Sequence, residues 1–166
     1  YATPGGHRRI LEADLRAFLK RYKLPVSLEA ARKGRPRILI IEDEEDVGRL
    51  LVRALEPAGA EVEWVRGGIE GLLALGKNPP DLVILDVIMP VVDGARVLAT
   101  LRLDPHTAKM KVIGITGKRL SPQKLRFMTR RTDAFFFKPF DLTALVERAV
   151  TLLKDFKALS SARGGL

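Results

Sequence analysis

Four apolar runs in this chain each deliver a residue that can do chemistry. RILII (37–41) runs into Glu42-Asp43, DLVILD (81–86) ends in Asp86, KVIGIT (111–116) ends in Thr116, and AFFFK (134–138) supplies Lys138, followed by Pro139. Three carboxylates, a hydroxyl and an ammonium form a coherent set. Oxygen ligands at short range suit a hard cation, and Mg²⁺ keeps several waters while taking one or two carboxylates plus phosphate oxygens. Lys138 can neutralise a second phosphate oxygen, and Thr116 can donate a hydrogen bond to a third. Asp86 is then left as a nucleophile able to form an aspartyl phosphate. In-line phosphoryl transfer asks for little beyond such positioning and charge stabilisation.

These residues act together only if the fold brings them to one rim. From Arg37 onward, short apolar runs alternate with helical patterns. RILII, EVEWV, DLVILD, KVIGIT and AFFFK read as strands. Between and after them lie segments with helical spacing: VGRLLVRALEPAG stopped by Pro57 and Gly59, GGIEGLLALGK ended by Asn78-Pro79-Pro80, a helix through Leu101, SPQKLRFMTRR, and a long helix from Asp141. Five strands separated by helices predict an α/β fold with a parallel sheet covered on both faces. In such sheets ligands collect beyond the carboxyl ends of the strands. A single Asp after a strand is ordinary, since loops are polar; a reactive group after four strands is not.

Composition narrows the class further. A chain of 166 residues with 46% hydrophobic content can bury one core of about 120–130 residues with a short appendage. Cysteine is absent, which excludes disulfides and thiolate zinc sites and fits a reducing compartment. No run approaches a membrane span and the first 34 residues lack a signal-peptide core, so a cytoplasmic protein without membrane contact is expected. The net charge of +9 is concentrated at one end: residues 1–37 hold ten Lys/Arg against three acids, a net +7, leaving +2 for the rest. A compact cationic segment on a nearly neutral body is the electrostatic signature of a nucleic-acid-binding arm.

With ILIIEDEEDV, LVILDVIMPVVDG, VIGITG and FFFKPF in this order and spacing, residues 37–158 resemble the receiver domain of two-component response regulators. The resemblance implies a flavodoxin-like, doubly wound sheet of order 2-1-3-4-5, for which a chemotaxis receiver of this family is the standard example. It further implies that Asp86 accepts phosphate from a histidine kinase or phosphotransfer protein. Glu42 and Asp43 would organise Mg²⁺ together with Asp86 and the backbone carbonyl of Ile88. Thr116 and Phe135 would form the switch pair, Lys138 would contact the phosphate, and Lys138-Pro139 would be a cis peptide. A receiver modifies itself, so no turnover enzyme is expected. A new charge of about −1.5 to −2 beside a bistable loop is a sufficient cause for the switch.

Three positions depart from the family's commonest pattern. Glu42 stands where Asp is more frequent, a variant expected to reach the metal through water. Ile88 and Lys118 lie two residues past Asp86 and Thr116, where side chains tune the lifetime of the phosphorylated form. Ile88 also argues against a metal-dependent phosphatase, which would need an Asp at that position as acid/base.

Lys109, Lys111, Lys118, Arg119, Lys124, Arg126, Arg130 and Arg131 fall in 23 residues without an acid. The family commonly uses its fourth helix, fifth strand and fifth helix as an output face. The cationic run thus marks either a surface for an acidic partner or DNA phosphate, or a solvated helix face. The last helix repeats apolar residues at Leu142, Leu145, Ala149, Leu152, Phe156 and Leu159. Its first half should cover the sheet and its last turns could pair with another subunit, so a homodimer through the fourth- and fifth-helix face is an open expectation.

At the start of the chain, TPGGHRRI and DLRAFL resemble the wing and closing helix of excisionase/MerR-type winged helix-turn-helix domains. Tyr1–Thr3 and His7–Leu11 would be short strands about the Pro4-Gly5-Gly6 turn. Residues 12–22 would be a helix with Leu15, Phe18, Leu19 and Tyr22 on one face. By that resemblance His7, Arg8 and Arg9 are the DNA-phosphate contacts. Such a domain also needs two preceding helices, one of them in the major groove. The segment is therefore expected to be a truncated piece, a proteolytic product or a degenerate remnant. The domains expected are a partial winged-helix segment with its hairpin and helix (1–22), a linker (23–36), a receiver (37–158) and a flexible tail (159–166). Two functions fit: a regulator in which Asp86 controls DNA binding by the full-length parent, or a protein-interaction or phosphorelay module with a vestigial DNA-binding segment.

Overall fold

The structure, a computed structural model, describes residues 35–163, with side chains through Asp155. The hairpin, helix and linker expected before residue 35 lie outside the described residues, as do His7, Arg8 and Arg9.

Five parallel strands form one sheet: β1 (Arg37–Ile41), β2 (Glu61–Val65), β3 (Leu82–Asp86), β4 (Lys111–Thr116) and β5 (Ala134–Phe137). Their order is β2-β1-β3-β4-β5, as the resemblance implied. The helices are α1 (Glu45–Leu55), α2 (Gly68–Lys77), α3 (Gly94–Leu103), α4 (Pro122–Arg131) and α5 (Leu142–Arg163), with a short 3-10 turn at Glu56–Ala58.

Strand alternation divides the core in two. Leu39, Ile41, Val83, Leu85 and Val112 face α2, α3 and α4, packing with Leu72, Leu75, Val97, Leu98, Leu101 and Met128. Ile38, Ile40, Leu82, Ile84, Ile113 and Ile115 face the other way, onto Leu51 and Leu55 of α1 and Leu145, Ala149 and Leu152 of α5. Residues on both faces are buried, which is why β1 and β3 read as unbroken apolar runs.

The first helix ends at Pro57 and Gly59 as expected, while the last runs beyond its expected boundary. The first helix yields to the 3-10 turn because Pro57 lacks an N–H to continue the α ladder, and Gly59 ends it at φ 79°. The last helix continues through Arg163, across the boundary drawn at 158, so residues 159–163 are helical where a tail was expected. Its sequence holds no Gly or Pro before Gly164, and nothing local stops it earlier. Among the described residues, no helix is long and apolar enough to cross a membrane.

Candidate functional site

The parallel register sets the strand ends side by side. Ile41 pairs with both Val65 and Leu85, and Asp86 pairs with Ile115. Three backbone bonds extend this alignment past the last ladder rungs: Glu42 N–H to Val65 O (3.1 Å), Val87 N–H to Ile115 O (2.9 Å) and Lys138 N–H to Thr116 O (2.8 Å). The four reactive strand ends therefore open on one rim.

Carboxylate oxygens of Glu42, Asp43 and Asp86 lie within 4.8 Å of one another. Glu42 is 0% exposed and Asp86 3%. Glu42 Oε1 accepts the Glu44 N–H (3.0 Å), while its buried Oε2 faces the Lys138 ammonium at 2.9 Å. Buried carboxylate charge is costly unless cations lie against it. Three carboxylates against one ammonium leave a negative cluster of oxygen donors, which is a fit for a hard divalent ion.

Lys138 follows β5 at the cis Lys138-Pro139 bond and crosses to these acids. Its Nζ stands 2.8 Å from Glu44 Oε1, 2.9 Å from Glu42 Oε2 and 3.4 Å from Asp86 Oδ2. Burial alone would lower its pKa, but the contacts with Glu44 and Glu42 and the charge of Asp86 prevail and hold it above the usual ammonium range. Asp86 shifts in the direction of neutrality: burial, reinforced by the Glu42 charge, pushes its carboxyl up to about 7, against the opposing pull of Lys138 and the Ile88 N–H. That N–H reaches Asp86 Oδ1 at 3.2 Å. A carboxylate so poorly solvated gains from a bound cation, because the cation restores its ionised form.

Thr116 is buried, and its hydroxyl is engaged in its own loop, donating to Lys118 O (3.2 Å) and accepting from Lys118 N–H (3.3 Å). Phe135 pairs with Gly114 across β4 and β5, and a side chain at Gly114 would overlap its ring. Gly114 and Thr116 share a face of β4, so the ring sits one step behind the hydroxyl on that face.

The loop that follows β3 is closed by Asp93-Gly94. Asp93 caps α3 by accepting the Arg96 N–H (3.0 Å) and pairs with Lys124 of α4 (2.7 Å). Gly94 donates to Val87 O (2.9 Å), and a Cβ there would strike the Asp86 backbone. The cationic run 109–131 is less uniform than its sequence: besides Lys124 with Asp93, Lys111 pairs with Asp133 (3.1 Å). Lys118, Arg119, Arg126, Arg130 and Arg131 remain exposed.

Two residues at the site went unrecognised in the sequence. Glu44 has a faint signal, as a third acid directly after Glu42-Asp43. Trp64, whose indole N–H donates to Glu42 O (2.9 Å), has none, because its approach depends on β2 lying beside β1.

The family model of the response regulator receiver domain matches residues 38–150. The chain is 38% identical over 118 residues to the transcriptional regulatory protein PcoR of Escherichia coli, covering 71% of this chain and 51% of that protein. It is 33% identical over 122 residues to the phosphate regulon transcriptional regulatory protein PhoB of Rhizobium meliloti, covering 74% and 54%. The chain thus spans about half the length of these curated relatives. Among solved structures, a CheY-like response regulator receiver domain protein from Methanospirillum hungatei superposes with a TM-score of 0.67 at 28% identity, covering 75% of this chain and 98% of that one. The signal receiver domain of a signal transduction histidine kinase from Syntrophus aciditrophicus gives a TM-score of 0.66 at 31% identity, covering 72% and 91%.

Proposed function

This chain belongs to the response regulator receiver family, and on that premise we propose that Asp86 accepts a phosphoryl group from a histidine kinase or phosphotransfer protein in a magnesium-dependent reaction. The observation that carries this reading is the convergence of Glu42, Asp43 and Asp86 within 4.8 Å, with the Lys138 ammonium against the same oxygens.

Glu42, Asp43, Asp86 and the backbone carbonyl of Ile88 would hold the metal. Magnesium, when bound, supplies positive charge to the phosphoryl oxygens during transfer. One oxygen of ionised Asp86 forms a bond to phosphorus. The phosphorus–nitrogen bond of the donor phosphohistidine breaks, its electron pair leaving with the imidazole, and an aspartyl phosphate remains. Lys138 exchanges carboxylate oxygens for a phosphoryl oxygen. Thr116 releases Lys118 to donate to another, and Phe135 follows into the space the hydroxyl vacates. The added charge of about −1.5 to −2 thereby becomes a change in the surface that includes α4.

The named relatives are transcriptional regulators. By that likeness the phosphorylated receiver controls DNA binding by the full-length protein, with His7, Arg8 and Arg9 as phosphate contacts and dimerisation through the α4 and α5 face. The reaction is tested by incubation with acetyl phosphate and Mg²⁺: one phosphoryl group per chain, abolished by chelation of the metal, is expected. Continuous hydrolysis without a stoichiometric adduct would point to a phosphatase instead.

A further inference from the structure

We propose that Glu44 is a positioning residue for the phosphoacceptor chemistry, holding the Lys138 ammonium at the mouth of the site so that acceptance requires Lys138 to leave it. This inference rests on the assignment of Asp86 as acceptor made above.

Lys138 lies closer to Glu44 (2.8 Å) than to Asp86 (3.4 Å). Its other close partner, Glu42 at 2.9 Å, is anchored: its Oε1 takes the Glu44 N–H, its N–H bonds Val65 O, and its carbonyl takes the Trp64 indole. Glu44 is free to respond. It occupies the N-cap of α1 without making a side-chain cap bond, and its side chain is 61% exposed, so water can replace the ammonium when Lys138 departs. Before transfer, then, Lys138 is shared between a buried fixed acid and an exposed movable one.

Transfer changes the competition. When an Asp86 oxygen bonds phosphorus and the leaving imidazole or acetate departs with its electron pair, the acceptor's charge grows from −1 to about −2. The ammonium is then drawn from Glu44 to the phosphoryl group. A carboxylate that binds Lys138 well in the starting state and poorly in the transferred state slows acceptance and hastens loss. A general repulsion of the anionic donor by acids near the site would act with the same sign. Glu45 separates the two effects, because it carries the same charge one residue on but pairs with Arg49 and Arg66 and not with Lys138.

The test compares the full chain with its Glu44→Gln and Glu45→Gln variants, all treated with acetyl phosphate and Mg²⁺. Glu44→Gln should accept phosphate about two- to fivefold faster, the size expected for an ion pair with one exposed partner. Glu45→Gln should keep the wild-type rate. Independently of activity, the ¹⁵N resonance of the Lys138 ammonium in the metal-free protein should move in Glu44→Gln and stay in place in Glu45→Gln. An unchanged rate in Glu44→Gln, or equal acceleration in both variants, overturns the role of Glu44 while leaving Asp86 as acceptor. No modification in any of the three chains overturns the acceptor assignment and this inference with it.

Discussion

The indole N–H of Trp64 donates to the backbone carbonyl of Glu42 over 2.9 Å, tying the chain's single tryptophan to the first acid of the site. Gly48 makes this approach feasible, since any side chain there would overlap the Trp64 ring. Movement of the Glu42 loop must therefore be felt by the only indole. Titration with Mg²⁺ is expected to change Trp64 fluorescence saturably and reversibly on chelation, and Asp43→Asn should abolish the response. A fluorescence signal indifferent to Mg²⁺ would argue against metal binding at these acids.

The raised pKa of Asp86 has a consequence for stability with a definite sign. Burial pushes its carboxyl up to about 7 in the folded chain, well above the ordinary aspartate range. The native state thus holds a proton that the unfolded chain has released. This contribution to stability is fully present below about pH 4 and is lost as pH rises through about 7. Asp86→Asn has no such loss. In metal-free buffer, its unfolding free energy from chemical denaturation should exceed that of wild type by an amount that grows between pH 5 and 7.5, reaching on the order of 2 kcal/mol. A gap independent of pH would contradict the burial account of Asp86.

Val91, in the loop that follows β3, adopts φ 66°, a region that β-branched residues avoid. It is 56% exposed, so little packing offsets the strain. Val91→Gly is expected to stabilise the protein by up to about 1 kcal/mol, after the larger chain entropy of glycine is subtracted. Chemical denaturation reads this directly, and a destabilised variant would show that the Val91 side chain contributes contacts outweighing its backbone.

Much of the site was legible because Glu42-Asp43, Asp86 and Thr116 stand at the ends of buried strands, and Lys138 directly follows the more exposed β5. RILII and KVIGIT are apolar on both sheet faces, so their ends, and hence Glu42-Asp43 and Thr116, could be located from the sequence alone. The strand order was not legible in that way; it came with the family resemblance. Pairings between distant side chains were hidden for the same reason. Trp64 meets Glu42 only because β2 lies beside β1, and Lys138 selects among Glu42, Glu44 and Asp86 by loop geometry that no spacing encodes. The cationic run 109–131 looked uncompensated because Lys111 pairs with Asp133, just beyond it, and Lys124 with Asp93, which is distant in sequence and reaches it through the fold.

The proposed modification of Asp86 can be read on the protein itself. Peptide mapping by mass spectrometry after acetyl phosphate and Mg²⁺ treatment tests it most directly. The account predicts a single phosphoryl adduct on the peptide containing Asp86, absent from Asp86→Asn. An adduct elsewhere, or one that persists in Asp86→Asn, would contradict it.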